Sequence, residues 1–220
     1  MNELRDERIA VADPTPLGFG AMATAVFLSG IYLVGIVSGW QWLAVPFLFA
    51  GLVLILAAMW EFSNRSTFGA TAFGLYGAVS LGLGALGLLG LFGHGSFADA
   101  NTIMGWSLIA IAAMTLILIA GSLRASAVSV LTFLALGVAE VLLAIAFFAG
   151  MNSTLMDISG YAAIIGGVVA WYAAAAGVVN RLTEQVVLPV GAPLPQGRTA
   201  VDRPGSPVPR VELPLHPRTH

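Results

Sequence analysis

The sequence has no cysteine and no lysine, and it is poor in charge of either sign. Without cysteine there is no thiol catalysis, no disulfide and no thiolate metal site. Charged residues make up 9% of the chain, where a soluble domain carries roughly a quarter, so an ordinary soluble domain is excluded. The formal net charge of −2 gives no footing for a nucleic-acid partner. The three histidines, His94, His216 and His220, fall in a loop and in the C-terminal tail. The apolar runs therefore assemble no His-x-x-x-His pair, no clustered metal ligands and no Ser/His/Asp set. The expectation is a protein that is not an enzyme and uses no cofactor or metal.

What is present is apolar length. Hydrophobic residues make up 58% of the chain, and the mean hydropathy is +0.92. A helix needs about 20 apolar residues to cross a bilayer core, and six runs reach that length, at 17–38, 43–60, 68–92, 102–122, 126–149 and 157–180. The gaps hold turn-forming and polar stretches: "SGWQW", "EFSNRST", "GHGSFADAN", "SLRAS" and "GMNSTLMD". Backbone polar groups must be satisfied inside lipid, so runs of this length are read as helices and not strands. The fold class is an all-α integral membrane protein of six antiparallel spans. The first run is too long for a signal-peptide core and is followed by further spans, so it is read as retained.

Arginine sets the orientation. Arg5 and Arg8 precede the first span, Arg65 lies between the second and third, Arg124 between the fourth and fifth, and Arg181, Arg198, Arg203, Arg210 and Arg218 follow the sixth. All lie on one side, and the positive-inside rule places both termini in the cytoplasm. Trp40, Trp42, Trp60 and Trp106 sit near span ends, as headgroup-seeking rings do, whereas Trp171 is expected between helices. The organisation is a cytoplasmic segment at 1–13, a six-helix domain at 14–191 and a proline-rich tail at 192–220 that is expected to be disordered.

The third span contains a literal G-x-G-x-x-G at Gly82, Gly84 and Gly87, but no strand precedes it, so phosphate binding is set aside in favour of close helix packing. "GIVSG" at Gly35 to Gly39 offers the same kind of small-residue face. The odd-numbered spans begin with small or capping residues, in "DPTPLGFGAMA", "NRSTFGATAFG" and "RASAVSVLTF". A weak threefold repeat of helix pairs would gather three positive helix N-termini at one mouth and favour an anion there.

Four stretches carry a family resemblance. "DPTPLGF" is similar to the Asn-Pro-Ala-Pro-Leu-Gly-Leu signature of the acetate uptake transporter family, the YaaH-type carboxylate transporters. "EFSNRSTFGATAFGLYGA" resembles that family's Glu-Phe/Tyr-x-x-Gly-Asn-Thr-Phe-Gly stretch, and "GSLRASAVSVLTFLAL" and "NRLTEQVVLPVG" follow in family order. The resemblance covers residues 12–191. It implies a six-helix protomer, commonly a hexamer, that moves acetate and related small monocarboxylates across the cell membrane.

The resemblance also implies site residues. Its narrow point maps to Met22, Tyr76 and Leu136, with Met22 standing where the family has a Phe. Asp13, Pro14, Pro16, Leu17 and Gly18 make the mouth signature, and Thr67, Thr71 and Asn180 are the matched polar residues within reach of a carboxylate, each with a structural reading as well. Asp13 for the signature Asn and Leu54 for a Gln mark a divergent member. Glu140 does not come from the resemblance. It is the only acid placed inside a span, four residues beyond Leu136 and so on the same helix face. Ionisable groups in a span are costly and face a protein interior or a water-filled cavity, which makes Glu140 a candidate for proton coupling, with a hydrogen-bonded structural acid as the other reading. A non-transporting scaffold or sensor, and a channel for another small solute, stand as alternatives for the whole chain.

Overall fold

The structure is a computed structural model and describes residues 12–93 and 100–192. His94, His216, His220 and the tail from residue 193 lie outside the described residues. Six helices follow one another: α1 (Thr15–Leu33), α2 (Ala44–Ser63), α3 (Thr67–Leu91), α4 (Ala100–Ser122), α5 (Ala127–Phe148) and α6 (Ser153–Thr183), with a short 3-10 turn at Trp40–Leu43 before α2. Each is long and apolar enough to cross a membrane. Large apolar side chains such as Phe49, Leu116, Ile117 and Ile165 cover the outside, where a soluble protein would place charge.

Local chemistry fixes the helix starts. Pro14 and Pro16 preset the backbone at the beginning of α1, where missing N–H groups cost nothing. Asp13 Oδ1 accepts from the Thr15 N–H at 3.0 Å. Ser66 Oγ accepts from Gly69 N at 3.2 Å at the start of α3, Ser126 Oγ from Ser129 N at 3.1 Å at α5, and Asn152 Oδ1 from Leu155 N at 3.1 Å at α6.

One boundary differs from the expectation. The first span ends at Leu33 and not at residue 38. Gly35 and Gly39 have φ of +74° and +81°, which no helix accommodates, and nothing lies within 4 Å of a Cβ built at Gly35. These glycines turn the chain between α1 and α2; they are not the packing face that "GIVSG" suggested.

The helices form an up-and-down ring in chain order. Contacts run from α1 to α2, α2 to α3, sparsely from α3 to α4, then α4 to α5, α5 to α6, and α6 back onto α1 to close the ring. Packing within the ring relies on glycine, because helices in lipid gain stability from close approach and not from expelling water. On α3, a Cβ at Gly77, Gly84 or Gly87 would meet Ile55, Leu48 or Ala44 of α2 at 2.7 to 3.0 Å, whereas Gly82 faces open space. The glycine-rich run in α3 is therefore a docking strip for α2. On the α1–α6 seam, a Cβ at Gly30 would lie 2.6 Å from the Gly160 carbonyl oxygen, and one at Gly167 would lie 2.8 Å from Phe27 Cβ. Trp171 stacks on Phe27 along this seam, ring centroids 4.8 Å apart, while remaining partly exposed.

Because the ring alternates up and down, α1, α3 and α5 run parallel and start at the same end, which also carries Arg65, Arg124 and Arg181. The internal repeat is tangible in the positions of inward side chains. Ser66, Phe73, Tyr76 and Gly77 of α3 reappear sixty positions later as Ser126, Phe133, Leu136 and Gly137 of α5. In α1 the matching pair is Phe19 and Met22.

Candidate functional site

Met22, Tyr76 and Leu136 come from three different helices and are buried in one central cluster, to which every helix of the ring contributes. They stand at similar depth. Met22 is the eighth residue of α1, and Tyr76 and Leu136 are each the tenth residue of their helices, about 12–15 Å in at 1.5 Å per residue. The three residues that the resemblance names are thus brought into one buried cluster.

Glu140 joins them. Side chains on a helix lean toward its N-terminus, so its carboxyl, one turn beyond Leu136, falls back toward that level. The Tyr76 hydroxyl donates to Glu140 Oε1 at 2.9 Å, and the Tyr76 and Thr115 hydroxyls lie 2.7 Å apart. Thr115 is also 3.1 Å from the Ile111 carbonyl oxygen of its own helix. Glu140 Oε2 is buried and has no partner among the described residues. Beside it, the Ser159 hydroxyl donates across helices to the Ala139 carbonyl at 2.8 Å, fixing α6 to α5.

Counting protons gives this chain of contacts two polarities. Each hydroxyl has one hydrogen to donate. With Glu140 protonated on Oε1, its O–H donates to Tyr76, Tyr76 donates to Thr115, and Thr115 donates to the Ile111 carbonyl. With Glu140 ionised, Tyr76 donates to Glu140, and the one Thr115 hydrogen goes either to Tyr76 or to the Ile111 carbonyl, not to both. A proton on Oε1 thus reverses the run of hydrogen bonds through Tyr76, whereas one on Oε2 leaves it unchanged. Among the described residues, α4 carries no titratable side chain and α3 only Tyr76, while Asp157, Tyr161 and Arg181 of α6 are exposed and Tyr172 donates to the Pro189 carbonyl.

The other sequence candidates are placed elsewhere. Thr67 and Thr71 are exposed on the outer face of α3, away from Tyr76, and the Thr71 hydroxyl donates back to the Thr67 carbonyl at 2.8 Å. Asn180 is engaged by the chain that follows α6. Its Oδ1 accepts from Val187 N at 2.8 Å and Leu188 N at 2.9 Å, and its Nδ2 donates to the Leu188 carbonyl at 2.8 Å. The Tyr172 hydroxyl donates to the Pro189 carbonyl at 2.9 Å, and Val128 N at the start of α5 donates to the Val190 carbonyl at 3.1 Å. Residues 184–191 thus form a strap from the end of α6 to the beginning of α5, and the Asn180 amide is consumed in holding it. Asn180→Ala removes three of these bonds at about 1 kcal/mol each, so faster hydrogen exchange confined to 184–191 is expected; unchanged protection there would show that the strap is held by other means.

The mouth signature is structural in its local contacts. Pro16 packs on Gly177 of α6, and Gly18 leaves room for the Phe73 ring, with which any Cβ at position 18 would collide. Leu17 is exposed on the outer surface.

Two residues were missed: Glu61, and Thr115 beside Tyr76. Glu61, in the last turn of α2, is fully buried and not a loop residue. It accepts from the Thr15 hydroxyl of α1 at 2.8 Å, and its carboxyl presses onto Gly69 in the first turn of α3. Glu140 is therefore not the sole acid within a span. The expected anion-attracting mouth already holds a resident acidic side chain between two helix N-termini. The available signal was an acid three positions before a loop of three residues, still within the last turn of an apolar span.

The chain is similar to known proteins along most of its length. Residues 4–196 match the GPR1/FUN34/yaaH family. The succinate-acetate/proton symporter SatP of Escherichia coli (strain K12) is 31% identical over 182 residues, covering 82% of this chain and 96% of that protein. Acetate permease A of Emericella nidulans is 29% identical over 200 residues, covering 81% of this chain and 65% of that protein. Among solved structures, the bacterial acetate channel SatP superposes with a TM-score of 0.78 at 30% identity, covering 82% of this chain and 99% of that one.

Proposed function

The chain belongs to the GPR1/FUN34/yaaH family, and from that premise we propose that it moves acetate and related small monocarboxylates across the cell membrane along the axis of its helix ring. The supporting observation is the meeting of Met22, Tyr76 and Leu136, far apart in sequence, in one buried cluster at similar depth along their helices. The transport unit is the 14–191 domain. The arginine-bearing end faces the cytoplasm, which puts both termini inside, and the assembly is a homo-oligomer, hexameric by the family resemblance.

The layer works by size and by the cost of removing water. A carboxylate that enters an apolar constriction loses hydration unless the protein replaces it. The replacing groups at this level are the hydroxyls of Tyr76 and Thr115. Glu140 sets when a carboxylate is admitted: ionised, it holds the Tyr76 proton and repels a carboxylate; protonated, it removes that negative charge, and Tyr76 can turn its hydrogen from Thr115 to the incoming carboxylate. Uptake is accordingly coupled to protons, with Glu140 as the group that takes the proton up.

Uptake of labelled acetate into proteoliposomes tests the reading. The parent is expected to accumulate acetate. Tyr76→Ala and Leu136→Ala are expected to widen the layer, raising flux or admitting larger carboxylates. Parent rates and an unchanged size cutoff in both variants would remove these residues from the pathway, and no uptake by the parent under any gradient would favour a scaffold.

A further inference from the structure

We propose that Phe19, Phe73 and Phe133 form a second closed layer across the same axis, one helical turn nearer the arginine-bearing end, which must part before any solute reaches Met22, Tyr76 and Leu136. It rests on the transport reading and adds a specificity-determining element to it. Each phenylalanine stands three positions before a residue of the deeper layer on the same helix: Phe19 before Met22, Phe73 before Tyr76, Phe133 before Leu136. Positions three apart share a helix face, so the two layers are stacked along one axis. The three rings are 4%, 1% and 0% exposed, which leaves no passage for water between them.

Phe19 joins the other two rings. Phe19 meets Phe73 edge to face at 5.6 Å, with planes at 86°, and lies 6.3 Å from Phe133. Their positioning is built into the backbone, because the Phe73 ring occupies the space that any side chain at Gly18 would need. Phe133 also contacts the Tyr76 ring at 6.1 Å, so the phenylalanine layer cannot open without disturbing the tyrosine below it. The layers differ in chemistry. The deeper one presents the Tyr76 hydroxyl, whereas the phenylalanine layer presents no hydrogen-bonding side chain, so it admits only small solutes that can be stripped of most of their water. A mere core filler would affect stability alone; a gate also decides what passes.

Proteoliposome uptake separates the two. For Phe73→Ala and Phe133→Ala we expect uptake of a bulky, strongly hydrated monocarboxylate, gluconate, to rise about tenfold relative to acetate, equivalent to about 1.4 kcal/mol off its barrier. Should these variants fail to fold, Phe19→Cys/Phe73→Cys supplies the test, since the chain has no other cysteine. Joining the two thiols with a short reducible cross-linker is expected to stop acetate uptake at least tenfold, and reduction to restore it. Undiminished acetate uptake with complete cross-linking, or alanine variants that keep the parent's gluconate-to-acetate ratio, would overturn the second layer alone. A parent that takes up no acetate would overturn the transport reading and this layer with it.

Discussion

Replacing Glu140 by glutamine is expected to give folded protein whose acetate uptake has lost much of its dependence on pH. The new amide fills the same volume and can donate to Tyr76, which then donates to Thr115, 2.7 Å away, and Thr115 to the Ile111 carbonyl. With the amide nitrogen toward Tyr76, that is the hydrogen-bond polarity of the parent protonated on Oε1, and in either amide orientation the side chain carries no charge at any pH. Uptake at alkaline pH should therefore rise toward the parent's acid-side rate, while accumulation driven by a proton gradient falls. Comparing initial rates and gradient-driven accumulation across a pH series reads both effects. A variant with the parent's pH profile would leave Glu140 as a structural acid. Tyr76→Phe is the complementary case, because it deletes the hydroxyl between Glu140 and Thr115 and leaves Glu140 Oε1 without its donor, in addition to the already unpartnered Oε2. Stranding a buried acceptor costs about 1–3 kcal/mol, so a lower melting temperature is expected beside altered transport.

The largest effect on the fold is expected at Gly30. A Cβ there would lie 2.6 Å from the Gly160 carbonyl oxygen and 2.9 Å from the Ile164 backbone nitrogen, so the obstruction is backbone and cannot turn aside. Gly30→Leu would hold α1 off α6 and open the seam that closes the ring, whereas overpacking in an adaptable core costs about 1–3 kcal/mol. Loss of monodisperse protein, or a large fall in its melting temperature, is expected. Gly82→Leu is the control, because nothing lies within 4 Å of a Cβ at that position; it should behave as the parent. Equal tolerance of both would place the α1–α6 contact elsewhere.

Hydropathy, loop chemistry and arginine placement are local quantities, and the sequence alone determined what depends on them: six spans, their antiparallel order and, within a few residues, most of their ends. The common depth of Met22, Tyr76 and Leu136 was also legible, because depth in a span follows from counting residues from the capping residues, and the resemblance named the positions. Rotation about each helix axis was a different matter. These helices are apolar on nearly every side, so no amphipathic stripe marks the inward face. Only the assembled ring could show that Thr67 and Thr71 point outward and that Asn180 is spent on the strap. Gly35 and Gly39 were read as a packing face because spacing suits both a helix seam and a turn, and only backbone angles distinguish them. Glu61 and Glu140 illustrate the same limit. Their positions in sequence are plain, yet whether an acid is buried, and whether Thr15 or Tyr76 meets it, depends on helices up to 64 positions away. Side-chain burial and hydrogen bonding are pairwise properties of packed elements, and for this protein they were decided by tertiary structure.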